Sequence, residues 1–258
     1  MQLQHLAVVM PAYNEAEGLP SFLREILEYV APLADRVSIV VVNDKSTDAT
    51  AAVLAELQTS MPQLHVVNSA VNRSHGPTAL AAYRAGLELA PDAIVHVDGD
   101  GQFLGRDFVR MVRALEVADV VHGVRQHRTD PWFRKALTAT VGAGVAVALG
   151  HRIPDVNTPL RAYRPSALTE LLTVCPADAL VPHVHFSLAE RRLGLRVRYV
   201  AVESIERRGG SATGTMWGET PRTPRLPPKK LRDFSKRAAA EVWTYSLRPG
   251  HARHNRST

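Results

Sequence analysis

The chain of 258 residues is long enough for one large α/β domain plus an appendage, and 45% apolar with 22% charged residues excludes a disordered or fibrous protein. The formal charge of +6 is unevenly placed: residues 207–258 hold 12 Lys and Arg against 3 Asp and Glu, whereas residues 1–206 hold 19 against 22. The basicity therefore belongs to a C-terminal surface and not to the fold. A single cysteine, Cys175, excludes an intramolecular disulfide framework and suits a reducing compartment. No apolar run reaches the roughly 18 residues of a spanning helix, and the N-terminus has no signal-peptide pattern, so a cytoplasmic protein is expected.

In chain order, Leu6–Met10 reads as a first strand closed by Pro11, followed by a helix over Glu17–Tyr29 with Leu19, Phe22, Leu23, Ile26 and Leu27 on one stripe. Val37–Val42 is apolar enough to be buried on both faces. A helix over Thr47–Leu57 follows, with caps offered by Ser46, Thr47 and Asp48. His65–Asn68, Ala93–Val97 and Asp119–Gly123 predict further strands, separated by helices at Thr78–Leu89 and Asp107–Glu116. This alternation is the signature of βαβ units and a mainly parallel sheet. Beyond Gly123 it loosens: a helix over Pro131–Leu149, a strand at Leu160–Tyr163, a helix at Phe186–Leu193 and a strand at Val197–Val202 are expected. Residues 1–215 form the expected catalytic domain. Residues 216–258 read as a Pro-rich basic linker, a helix from Leu231 to Tyr245, and a mobile polar tail.

In open parallel sheets, ligands bind outside the carboxyl ends of the strands. The first four strand ends carry Pro11-Ala12-Tyr13-Asn14-Glu15, Asn43-Asp44, Asn72 to Gly76, and Asp98-Gly99-Asp100, and all four converge on one edge. Two carboxylates separated by a compact glycine suit a hard divalent cation, Mg2+ or Mn2+, bridging the phosphates of a nucleoside diphosphate.

Val8 to Glu15, Val41 to Asp48, and Val97 to Gln102 resemble the three successive signatures of family 2 glycosyltransferases, which have the GT-A fold. The similarity extends through Gly123-Val124-Arg125, Arg134 and Asp155 to Arg161, and ends at Arg207-Arg208-Gly209-Gly210-Ser211. Within that family the polyprenyl-phosphate sugar synthases are the most similar. The resemblance implies inverting transfer from a GDP- or UDP-linked sugar. Pro11, Ala12, Tyr13, Glu15, Asn72, Gly76 and Ser211 would line the donor pocket, and Asp44 would accept from the base. Asp98 would lie near ribose or metal, with Asp100 the firmer metal ligand. Gln102 and Asp155 would face the reaction centre, and Arg125, Arg134, Arg161 and Arg208 would supply charge for phosphates. Two departures stand beside the pocket: Lys45 and Ser74 occupy positions where relatives commonly have glycine.

Hydroxyl-directed members of the family carry a late Glu-Asp pair, whereas Pro176–Arg192 here offers only Asp178 and Glu190. That favours a lipid-phosphate acceptor, whose oxygen is already anionic, over a saccharide hydroxyl using Asp155 or Asp178 as base. The basic C-terminal region would then touch the inner membrane face, with Leu231, Phe234, Ala238, Val242 and Tyr245 toward the lipid. A nucleotide-sugar sensor would not need this full set of charged groups. Nucleic acid is disfavoured as a partner, because stacking aromatics in the tail are sparse and no binding motif appears.

Overall fold

The structure, a computed structural model, describes residues 2–126, 150, 153–209 and 229–247. The expected helix over Pro131–Leu149, and Arg134 and Ser211, lie outside the described residues.

A seven-stranded sheet forms the centre, built from β1 (Leu3–Ala12), β2 (Ala34–Asn43), β3 (Leu64–Asn68), β4 (Ala93–His96), β5 (Val120–Gln126), β6 (Arg161–Tyr163) and β7 (Val197–Glu203) in the order β3-β2-β1-β4-β6-β5-β7. Every neighbouring pair is parallel except those of β6, which runs antiparallel to both β4 and β5. Helices α1 (Leu19–Val30), α2 (Thr50–Ser60), α3 (His75–Glu88), α4 (Gly105–Ala114), α5 (Pro165–Val174), α6 (Pro182–Arg192) and α7 (Lys229–Val242) surround it. Alternate residues of β1 enter opposite cores, as the period of a strand requires. Leu6, Val8 and Met10 pack with Leu19, Phe22 and Phe108 on one face. Ala7 and Val9 pack with Leu80, Tyr83 and Phe186 on the other.

All seven expected strands are present. β1 does not stop at Pro11 but continues to Ala12. Its ladder with β4 ends at Val9↔His96, so the missing N–H of Pro11 costs no rung, while its carbonyl still accepts from Gly99 N–H at 3.1 Å. α3 begins three residues earlier than expected, because Pro77 falls in the first turn, where its N–H is not needed. α5 was not anticipated; Pro165 opens it and Ala167, Leu168 and Leu171 bury its inner face.

The expected face of the C-terminal helix is also corrected. Leu231 is 3% exposed, and Val242 packs with Leu247 against Ile153, Val156, Val184 and Leu188. That side of α7 therefore faces the body of the protein and not a lipid surface.

Candidate active site

The loops after β1, β2 and β4 meet at one edge of the sheet. After β1, Asn14 takes a left-handed φ of 56°, and its amide oxygen accepts the Thr47 N–H at 2.8 Å. Glu15 N–H donates to Thr50 Oγ1 at 2.9 Å, so the β1 and β2 loops are latched together. Pro11 and Ala12 are buried at the strand end and Tyr13 is half-buried beyond it. Asp44 is buried; its N–H donates to Ala12 O, and its Oδ1 accepts the Arg73 N–H at 2.7 Å. Asn72 Nδ2 donates to the Asp44 carbonyl at 3.0 Å, which draws the β3–α3 loop to the same edge.

Lys45 and Ser74 both have positive φ, 54° and 73°. Ser74, with ψ 166°, occupies a region that is essentially glycine's. The two departures noted in the sequence thus lie where the backbone itself favours glycine. Gly76 serves packing: a Cβ there would lie 2.2 Å from Ala179 O, so α3 abuts the chain leading into α6.

Asp98 and Asp100 follow β4. The backbone between them is pinned, because Gly99 N–H bonds Pro11 O and a Cβ on Gly99 would lie 2.9 Å from that oxygen. Asp98 Oδ1 is buried and receives no hydrogen bond; the His75 imidazole stands 3.4 Å away without making one. Asp100 Oδ1 accepts the Gln102 N–H at 3.2 Å. Burial, reinforced by the Asp98 carboxylate, pushes Asp100 up to about 6. Glu15, pushed up to about 7 by its own burial, opposes Arg207 at 2.7 Å. Glu15 and Asp100 therefore share one guanidinium, with the Asp98 carboxylate close by. Among the described residues no three His, Cys, Asp or Glu side chains form a self-sufficient metal cage. Two carboxylates, one with a buried oxygen that accepts no hydrogen bond, do fit a cation that takes its remaining ligands from phosphates and water.

The segment after β7 closes this loop from outside. Ile205 N–H donates to Gln102 O and Arg208 N–H to Asp100 O. The Gln102 side chain reaches the Ile205 carbonyl at 3.4 Å. Arg208 is a brace: it bonds Gly101 O, pairs with Glu25 at 2.5 Å and covers the Phe22 ring at 5.2 Å. Arg207, passed over in the sequence, is the arginine beside the carboxylates. It sits next to the chosen residue, and only the spatial proximity of Glu15 reveals it.

Arg161 is likewise not where a phosphate could reach it. It is fully buried, donating to Val156 O and Ser187 Oγ and pairing with Glu190 at 3.3 Å. Burial alone would raise Glu190, but the neighbouring His122 and Arg161 outweigh it and hold the carboxyl below its ordinary value. Asp155 and Arg125, expected in the site separately, meet as a bidentate pair at 2.8 and 3.0 Å. Beside Asp98 lies a buried histidine pair. His96 stacks on Tyr83 at 4.6 Å, and His183 accepts from or donates to the Tyr83 hydroxyl at 2.9 Å. Burial lowers His96 to about 4 and His183 well below its ordinary value, so both are neutral.

A mainly parallel sheet flanked by helices, with a carboxylate pair at one strand edge, defines an α/β protein of the doubly wound class. The family model of glycosyl transferase family 2 matches residues 7–172, and the chain belongs to that family. An undecaprenyl-phosphate 4-deoxy-4-formamido-L-arabinose transferase of Edwardsiella ictaluri is 29% identical over 81% of this chain and 64% of its own. The Sodalis glossinidius enzyme of the same name is 30% identical over 77% and 61%. The chain thus spans a little under two thirds of these curated relatives. Among solved structures, glucosyl-3-phosphoglycerate synthase from Mycobacterium tuberculosis with Mn2+, UDP and phosphoglyceric acid superposes with a TM-score of 0.63 at 20% identity, over 95% of this chain and 80% of that one. A mannosyltransferase from Pyrobaculum calidifontis with GDP-Man and Mn2+ gives 0.56 at 21%, over 79% and 57%. This likeness establishes the GT-A fold.

Proposed function

We propose that the chain transfers a sugar, with inversion, from a GDP- or UDP-linked donor to a polyprenyl phosphate at the inner face of a membrane, using Mg2+ or Mn2+ held by Asp98 and Asp100. The observation that carries this reading is the buried Asp98 Oδ1 beside Asp100, an oxygen with no hydrogen bond and only the His75 imidazole at 3.4 Å. A carboxylate oxygen taken from water without a donor is costly unless a cation completes it. When bound, the cation supplies positive charge to the departing diphosphate. Arg207 stands beside the same carboxylates and adds a second positive charge there. Asp44, with Oδ1 fixed by Arg73 N–H, presents a positioned acceptor to the donor's base.

On the acceptor side, Asp155 orients the Arg125 guanidinium. A phosphate oxygen needs no base to attack the anomeric carbon. Two of the carboxylates that a hydroxyl acceptor would draw on are engaged: Asp155 pairs with Arg125, and Glu190 is buried on Arg161. The names of the curated relatives, which specify undecaprenyl phosphate, support the same acceptor class.

The test is a screen of UDP- and GDP-sugars for hydrolysis with Mg2+ or Mn2+, followed by transfer to polyprenyl phosphates. Asp100→Ala is expected to reduce turnover by roughly a thousandfold, on the order of 4 kcal/mol, with its melting curve retained. Full turnover in chelator, or in that variant, would overturn the metal-dependent reading.

A further inference from the structure

α7 has two unlike faces. Its inner face is committed to the body: besides Leu231 and Val242, Glu241 accepts the Leu180 N–H at 3.0 Å and pairs with His185 at 2.9 Å. On the outer face Lys229, Arg232, Lys236 and Arg237 are all exposed, with Asp233 as the acid interleaved. The helix ends in a π-turn, Trp243–Leu247, which carries Ser246 inward onto His185 at 2.6 Å and leaves Trp243 60% and Tyr245 51% exposed. Positions 229, 232, 236 and 243 recur at helical spacing, so three cations and an indole share one stripe.

We propose that this outer face of α7, through Lys229, Arg232, Lys236, Arg237 and Trp243, docks the protein on an anionic lipid surface. The inference rests on the lipid-phosphate acceptor proposed above and names the element that brings the site to it. Cations are drawn to the negative surface potential, and an exposed indole at the end of the cationic stripe sits at headgroup depth. The position of the helix favours this occupant. The inner face of its C-terminal end packs on Ile153 and Val156, in the segment that carries Asp155, so a surface bound to the outer face is one helix away from the Arg125–Asp155 pair. Among the described residues no helix is long and apolar enough to cross a membrane.

The experiment sediments the full chain with phosphatidylcholine vesicles, with and without phosphatidylglycerol, while nucleotide-sugar hydrolysis is measured in parallel. The expected result is binding to the anionic vesicles alone, released by salt. The double substitution Arg232→Glu with Lys236→Glu should weaken it by roughly a hundredfold or more, at about fivefold per unit charge. Trp243→Ala should weaken it by a smaller factor, and hydrolysis and melting should be unchanged in all variants. Binding to neutral vesicles of equal strength, or a double variant that binds as the parent does, overturns the docking face. So does DNA retention that the double variant loses while vesicles are ignored. If hydrolysis proceeds and anionic vesicles are ignored at low salt, docking alone fails. If hydrolysis is absent from the parent protein, the catalytic reading fails whatever the vesicles show.

Discussion

Two clusters of buried ionisable groups lie near β4, and they are built on opposite terms. In the inner cluster Arg161 pairs with Glu190 and donates to Ser187 between β6 and α6, and burial keeps His96 and His183 neutral. His96 Nε2 and His122 Nδ1 lack a hydrogen bond there, but the charges are matched. At the sheet edge Glu15 and Asp100 share Arg207, Asp98 has only the His75 imidazole at 3.4 Å, and Asp98 Oδ1 lacks a hydrogen bond. Of the four described non-glycine residues at positive φ, three (Asn14, Lys45 and Ser74) belong to the edge loops and none to the inner cluster; the fourth, Ala90, follows α3. A cluster whose charges are already matched stabilises the fold. One that carries unmatched charge on a strained frame is completed by a ligand.

The sharpest way to break this contrast is Arg161→Met. Removing one partner of a buried ion pair leaves Glu190 with only the His122 imidazole at 2.9 Å, and stability should fall by about 3 kcal/mol. Nucleotide affinity at a temperature where the variant remains folded should change little. A variant that melts with the parent but loses donor binding would return Arg161 to the site.

A smaller effect sharpens the other side of the comparison. Ser74→Gly relieves the glycine-type conformation, offset in part by the freedom glycine gains when unfolded, and should stabilise by about 1 kcal/mol, or roughly 2–4 °C in melting temperature. Lys45→Gly should gain about half as much. A lower melting temperature for Ser74→Gly would contradict the conformation described.

The strands and the edge carboxylates were legible in the sequence because their signals are local. An apolar run ends in Pro11-Ala12, Asn43-Asp44 or Asp98-Gly99-Asp100, and strand polarity alone brings those ends together. The arginines were not legible in this way. Whether a guanidinium meets a phosphate or a carboxylate depends on which distant segment returns beside it. Glu190, 29 residues beyond Arg161, arrives on α6, and Glu25, on α1, claims Arg208 in place of its neighbour Arg207. The histidines show the same limit. His96 and His183 lack any ligand spacing in sequence, yet their rings lie 4.8 Å apart. The apolar face of α7 was misassigned for a related reason: such a stripe fits the protein body as readily as a bilayer, and hydrophobic pattern does not distinguish the two.

The claim on which the rest depends is that the Asp98–Asp100 edge binds a nucleoside diphosphate through a divalent cation. Calorimetric titration of UDP and GDP into the protein tests it directly, with Mn2+, with chelator, and in Asp100→Ala. The account predicts binding of one of the two nucleotides that requires both the cation and Asp100. Equal affinity in chelator, or in Asp100→Ala with Mn2+ present, would contradict it.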